Sequence, residues 1–150
     1  MAAAPARAGT TLRVQRRFAA ARERVFEAWT QPDLLVRWFT PYVGSSSDAE
    51  IDLRVGGAWR VRMKPRLWPS GQAFGTYLEV EPPDRLVYTL AWENFPFGPE
   101  TLVTVEFHEA EGATDVVLTQ ERLGTRRGRM GHGAGWRLSL TRLGELVERG

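Results

Sequence analysis

The segment RVFEAWTQPDLLVRWFTP, residues Arg24–Pro41, decides the fold. Counted from Arg22, Val25, Phe26 and Trp29 recur at helical spacing, and Glu23 and Glu27 occupy the first turns, where carboxylates favour the helix dipole. Pro32 stops that helix and suits the start of a second one, with Leu34, Leu35, Trp38 and Phe39 as its apolar set and Pro41 at its end. Two short consecutive helices rich in large rings are therefore predicted. Val25, Phe26 and Trp29 read as core, whereas Trp38 and Phe39, beside the Pro41 loop, suit either the core or the wall of a pocket.

On the N-terminal side, TLRVQRRF alternates Leu12, Val14, Arg16 and Phe18 against polar neighbours, a first strand. Residues 1–10, small and without an apolar run, read as a flexible tail, and 11–150 as one domain. On the other side, Gly44 to Ser47 read as a loop. EIDLRV and AWRVRM then alternate as two strands, with Ile51, Leu53, Val55, Trp59, Val61 and Met63 on one face and a tight hairpin at Gly56-Gly57. FGTYLEVE, RLVYTLAWE, TLVTVEFHE and TDVVLTQE continue the rhythm, separated by turn residues short enough to require antiparallel pairing. Trp136, Leu140, Leu143 and Val147, at offsets 0, 4, 7 and 11, form the apolar stripe of a long C-terminal helix, with Leu138 off it. The class is α+β.

Composition excludes much. The chain has no cysteine, so disulfides, thiolate metal sites and a cysteine nucleophile are ruled out, and the cytoplasm is the default location. Net charge is +2, and arginines alternate with glutamates as in ARERVFEAW, so no nucleic-acid partner is expected, and no run could span a membrane. His108 and His132 lack metal-ligand spacing, and neither a metal, a cofactor nor a catalytic residue is nominated.

RRFAAARERVFEAWTQPDLLVRWF, DLRVGGAWRVRM, GTYLEVEPPDRLVYT, TLVTVEFHEAEGATDVVLTQE and GWRLSLTRLGELV, taken in order, resemble the activator of heat-shock protein 90 ATPase homologue-like family of the START-like or SRPBCC superfamily. The resemblance implies a helix-grip fold, as in the birch pollen allergen: a curved antiparallel sheet of about seven strands around the C-terminal helix. It also implies a space between sheet and helix in which relatives hold lipids, sterols, polyketides or other hydrophobic molecules. A minority of relatives catalyse reactions there.

From inward phase, the expected pocket wall is Trp38, Phe39, Trp59, Met63, Phe74 and Tyr88, with Trp92, Leu118, Trp136 and Leu140 completing it. Gln120 and Thr76 are expected as polar anchors, and Arg126, Arg127, Arg129 and His132 as anion or mouth contacts in a glycine-rich loop before the last helix. Phe95 and Phe97 suit a lid. Three functional classes follow. The first is binding of a small hydrophobic or amphipathic molecule. The second is an interaction module, whether a chaperone accessory or a homodimer. The third is a cavity enzyme, which would need a water-shielded pair such as His132 facing Glu121.

Overall fold

A computed structural model describes residues 11–39, 45–64, 71–93 and 100–149. The expected tail, Pro41, and the Phe95 and Phe97 turn lie outside the described residues. The chain runs β1 (Leu12–Phe18), α1 (Arg22–Thr30), α2 (Pro32–Trp38), β2 (Ser45–Ile51), β3 (Ala58–Lys64), β4 (Gln72–Glu81), β5 (Arg85–Trp92), β6 (Thr101–Ala110), β7 (Ala113–Glu121) and α3 (Arg126–Val147). One curved antiparallel sheet of seven strands has the order β1-β7-β6-β5-β4-β3-β2. Six strands meander, and β1 returns beside β7 with Val14 opposite Leu118. This is the helix-grip arrangement implied by the resemblance.

Alternation builds the core. Leu86, Tyr88 and Leu90 of β5, Val103, Val105 and Phe107 of β6, and Val116, Leu118 and Gln120 of β7 turn inward and are buried. Facing them, α3 contributes Trp136, Leu140, Leu143 and Val147, the stripe read from the sequence, while Leu138 is 38% exposed. The helix comes close to β1 because it is small where they meet: a Cβ on Gly133 would lie 3.3 Å from Leu12 Cδ1, and one on Gly144 3.0 Å from Arg16 Nη2. Of the five glycines in this helix, residues that weaken an isolated helix, Gly133 and Gly144 are explained by those contacts: there tertiary packing overrides propensity. The expected glycine-rich loop is therefore wrong, since Arg126 to Gly135 form the first turns of α3, and Thr125 Oγ1 caps them by accepting the Gly128 N–H.

A second correction concerns β2. It begins at Ser45 and ends at Ile51, opposite Trp59, so Leu53 and Val55 fall in the connection and are 38% and 64% exposed. That connection is anchored to β4: Gly56 N–H donates to Tyr77 O, and Tyr77 N–H to Gly57 O. Gly56 itself has φ +85°, a left-handed conformation that suits glycine.

Several arginines on the outside are paired. Arg17 holds Asp115, Arg62 holds Asp48 and Glu50, and Arg85 holds Glu79 and Glu106. Exposed pairs of this kind contribute little to stability, about 0–1 kcal/mol each. They do account for a chain that is rich in arginine yet close to neutral.

Candidate ligand-binding site

The rings predicted from Arg24–Pro41 meet those of the sheet under α3. Trp29 packs edge-on against Trp38 at 4.6 Å between centroids and lies parallel to Trp136 at 6.4 Å. Phe39, at the end of α2, touches Trp38, Trp59, Trp92 and Trp136, the stacked contact being with Trp92 at 6.3 Å. Tyr88 faces Trp59 at 5.4 Å and Tyr77 at 6.0 Å. Each such pair adds about 0.5–1.5 kcal/mol beyond area burial, so the assembly is a rigid shell.

The shell is nearly full. Trp29, Leu35, Phe39, Trp59, Tyr77 and Tyr88 surround a cavity of about 10 Å³, the room of roughly one water. Of the expected wall, Phe39, Trp59 and Tyr88 line this cavity. Trp38, Met63, Leu118, Trp136 and Leu140 are buried around it, and Trp92 is half-buried against Phe39.

Phe74 and Thr76 are corrections. Their strand runs in the phase opposite to the one expected: Phe74 pairs with Arg60 and Thr76 with Ala58, both exposed, and Phe74 itself is 39% exposed on the outer face. Tyr77 is the residue that turns inward, and a bulge between Tyr77 and Glu79 then resets the alternation so that Val80 also pairs inward with Leu86. Gly75 allows the arrangement, because a Cβ there would lie 1.8 Å from Thr89 O and 2.8 Å from Trp59 Nε1. Through that gap the Trp59 indole reaches across β4 and donates to Thr89 O at 3.1 Å.

Sequence reasoning therefore missed Tyr77 and Leu35 as cavity residues and weighted Trp29 towards the core, where it does both jobs. The available signal was the parity of β4 relative to Trp59 of β3. With Trp59 inward, its cross-strand partner Gly75 and then Tyr77 must be inward too.

Two indoles start chains of buried polar side chains. Trp136 Nε1 donates to Gln120 Oε1 at 2.9 Å, Gln120 Nε2 to Thr101 Oγ1 at 2.9 Å, and Thr101 Oγ1 to Leu90 O at 2.7 Å. Gln120 is thus engaged structurally at both ends of its amide. In the other chain, Trp29 Nε1 donates to the Tyr88 hydroxyl at 3.1 Å. Burial pushes the phenols of Tyr88 and Tyr77 upward, and both stay protonated at neutral pH.

At the rim, His132 is half-buried on α3, with Nδ1 2.8 Å from Gly128 O and Nε2 accepting from Trp92 Nε1 at 3.3 Å. Those two bonds specify a neutral ring with its proton on Nδ1. Burial lowers the His132 pKa, partly offset by the Gly128 carbonyl. Both ring nitrogens are engaged away from Glu121, so the acid/base pair imagined for an enzyme is not assembled. Arg126 and Arg127 are exposed and Arg129 half-buried on the first turn of α3, and none of the three borders the cavity. Among the described residues, no cluster of three or more His, Cys, Asp or Glu could hold a metal ion, and no helix is long and apolar enough to cross a membrane.

The family model described as Activator of Hsp90 ATPase homolog 1-like protein matches residues 19–148. Among solved structures, a protein from Nitrosomonas europaea is 28% identical, with 95% of this chain and 97% of that chain covered and a TM-score of 0.78. A protein from Chromobacterium violaceum is likewise 28% identical, covering 94% and 99%, with a TM-score of 0.78. A structure described as an HSP90 activator from Plasmodium falciparum shares the fold at 20% identity, covering 92% and 96%, with a TM-score of 0.69. No curated protein matches the chain significantly.

Proposed function

Because the chain belongs to the activator of Hsp90 ATPase homolog 1-like family, we propose that it binds a small hydrophobic or amphipathic molecule within the aromatic shell between sheet and C-terminal helix. The observation that carries this reading is the lining of Trp29, Leu35, Phe39, Trp59, Tyr77 and Tyr88 around a residual cavity. Their indole N–H groups are already bonded within the protein, so apolar faces are what they offer a guest.

Entry requires side chains to move. Phe39 and Trp92 close the shell by stacking on each other, each at the end of its element, and their displacement converts a space for one water into one for a ring system. Burying roughly 200 Å² of apolar ligand surface at about 25 cal/mol per Å² supplies about 5 kcal/mol before association costs. A micromolar complex needs about 8 kcal/mol net, so the guest either buries more surface or adds hydrogen bonds.

Native mass spectrometry of freshly purified protein, followed by tryptophan-fluorescence and thermal-shift titrations across lipids and aromatic molecules, tests this. A copurified molecule, or saturable quenching with a raised melting temperature, is expected. No adduct and no shift across the panel would overturn the reading.

An interaction module is the second reading, favoured by Phe74 and Leu78, 39% and 45% exposed on the outer face of β4. Phe74→Ser and Leu78→Ser would then abolish a dimer or complex seen on sizing while leaving ligand titrations unchanged.

A further inference from the structure

The two indole chains end differently. From Trp136 the donors run through Gln120 and Thr101 to Leu90 O, a backbone carbonyl that closes the series. From Trp29 the series stops at Tyr88: its hydroxyl accepts the indole N–H, and its own proton meets no acceptor among the described residues. Tyr88 is 5% exposed and Tyr77 3% exposed, and both line the cavity. Tyr77 likewise makes no side-chain hydrogen bond among the described residues, and burial raises its phenol pKa. A phenol carries one donor and accepts through its oxygen, and a buried donor left unmade is costly.

The remaining lining narrows what can answer those protons. Trp59 Nε1 is bonded to Thr89 O and Trp29 Nε1 to Tyr88, while Leu35 and Phe39 carry no side-chain polar atom. Unspent capacity in the cavity therefore lies in the two phenols, each with a proton to give and an oxygen that can still accept. None of the six lining residues carries a charge to oppose a carboxylate or an ammonium, and burying an unpaired ion is far more costly than burying a neutral acceptor. The cavity has the size of one oxygen centre, and it lies among rings that provide a flat apolar bed.

We propose that Tyr88, assisted by Tyr77, is the specificity-determining donor of this site, and that the ligand is a neutral cyclic or aromatic molecule presenting a carbonyl oxygen, such as a ketone, quinone or ester. The proposal rests on the binding reading above and adds the ligand's chemical class to it. The carbonyl oxygen takes the position against the phenols, and its ring system displaces Phe39.

Matched probes test this: 2-acetylnaphthalene, 2-ethylnaphthalene and 2-naphthoate, titrated by tryptophan fluorescence against wild type, Tyr88→Phe and Tyr77→Phe, each checked for folding by thermal melt. The ratio of ketone to hydrocarbon affinity is expected to fall about fivefold in Tyr88→Phe, the loss of one neutral hydrogen bond, and less in Tyr77→Phe. Hydrocarbon affinity in each protein is the reference for that ratio, and naphthoate is expected to bind wild type more weakly than the ketone. Should Tyr88→Phe fail to fold, a lowered ratio in Tyr77→Phe supports the proposal, and an unchanged one overturns it. If ketone and hydrocarbon both bind and no folded variant alters their ratio, or if naphthoate binds more tightly than the ketone, the carbonyl assignment is overturned while the binding reading stands. Failure of all three probes to bind wild type overturns both.

Discussion

The Trp136 end of the core and the Trp29 end are built from the same parts and finished differently. Each begins with an indole N–H passed to a buried polar side chain, Gln120 in one and Tyr88 in the other. The first series ends on a backbone carbonyl and the second ends beside a cavity of about 10 Å³. Closure of a hydrogen-bond series is what a structural element requires. A series left unfinished among the described residues, next to space, is what distinguishes the proposed site from the core around it.

The strongest way to break that comparison is to remove the ring that fills the open end. Phe39→Ala should cost about 3–4 kcal/mol in denaturant unfolding, because Phe39 is 5% exposed and touches four tryptophans. Part of that loss should be recovered on adding an aromatic ketone, since a ligand that fills the new space stabilises the folded state. Unchanged stability would mean that Phe39 does not close the shell.

Gln120→Leu comes next. It leaves Trp136 Nε1 without an acceptor and removes the donor to Thr101, for a loss of about 2 kcal/mol by urea denaturation. The preference for ketone over hydrocarbon should be untouched. If Gln120→Leu erases that preference, the two ends are one site and the comparison fails.

The smallest effect concerns the rim. Burial lowers the His132 pKa from 6.5, so between pH 6.5 and the lower folded value the unfolded chain binds a proton that the folded chain does not. Stability from this group is therefore complete above pH 6.5 and declines as pH falls below it. Protonation also places an N–H on Nε2, facing the Trp92 indole N–H. Thermal melts from pH 7.5 to 5 should show a drop that is reduced in His132→Gln, and a parallel pH profile in the two proteins would remove His132 as its source.

Much of the architecture was legible because its periods are clean. The first helix of this segment ends, and the second begins, around Pro32 as read, while the second stops at Trp38 with Phe39 beyond its end, and the stripe from Trp136 to Val147 faces the sheet. The return of β1 to β7 came only from the family resemblance, since alternation says nothing about which strands pair. What misled was local. Glycine content made the start of α3 look like a loop, although close packing on Leu12 makes small residues an advantage there. In β4 both parities carry apolar residues, Phe74 and Leu78 on one and Tyr77 and Val80 on the two sides of a bulge, so the wrong phase put Phe74 and Thr76 inside and left Tyr77 out. Register to Trp59, a long-range fact, resolves that choice.

The sheet is open, with β1 and β2 at its two margins. Along β2 the pairing slips between Ser46 and Asp48, and Asp48 and Glu50 carry charge there. Along β1, Arg13, Gln15 and Arg17 alternate outward. Irregular, charged margins resist annealing to another molecule's backbone, the device by which an open sheet guards against edge-to-edge aggregation.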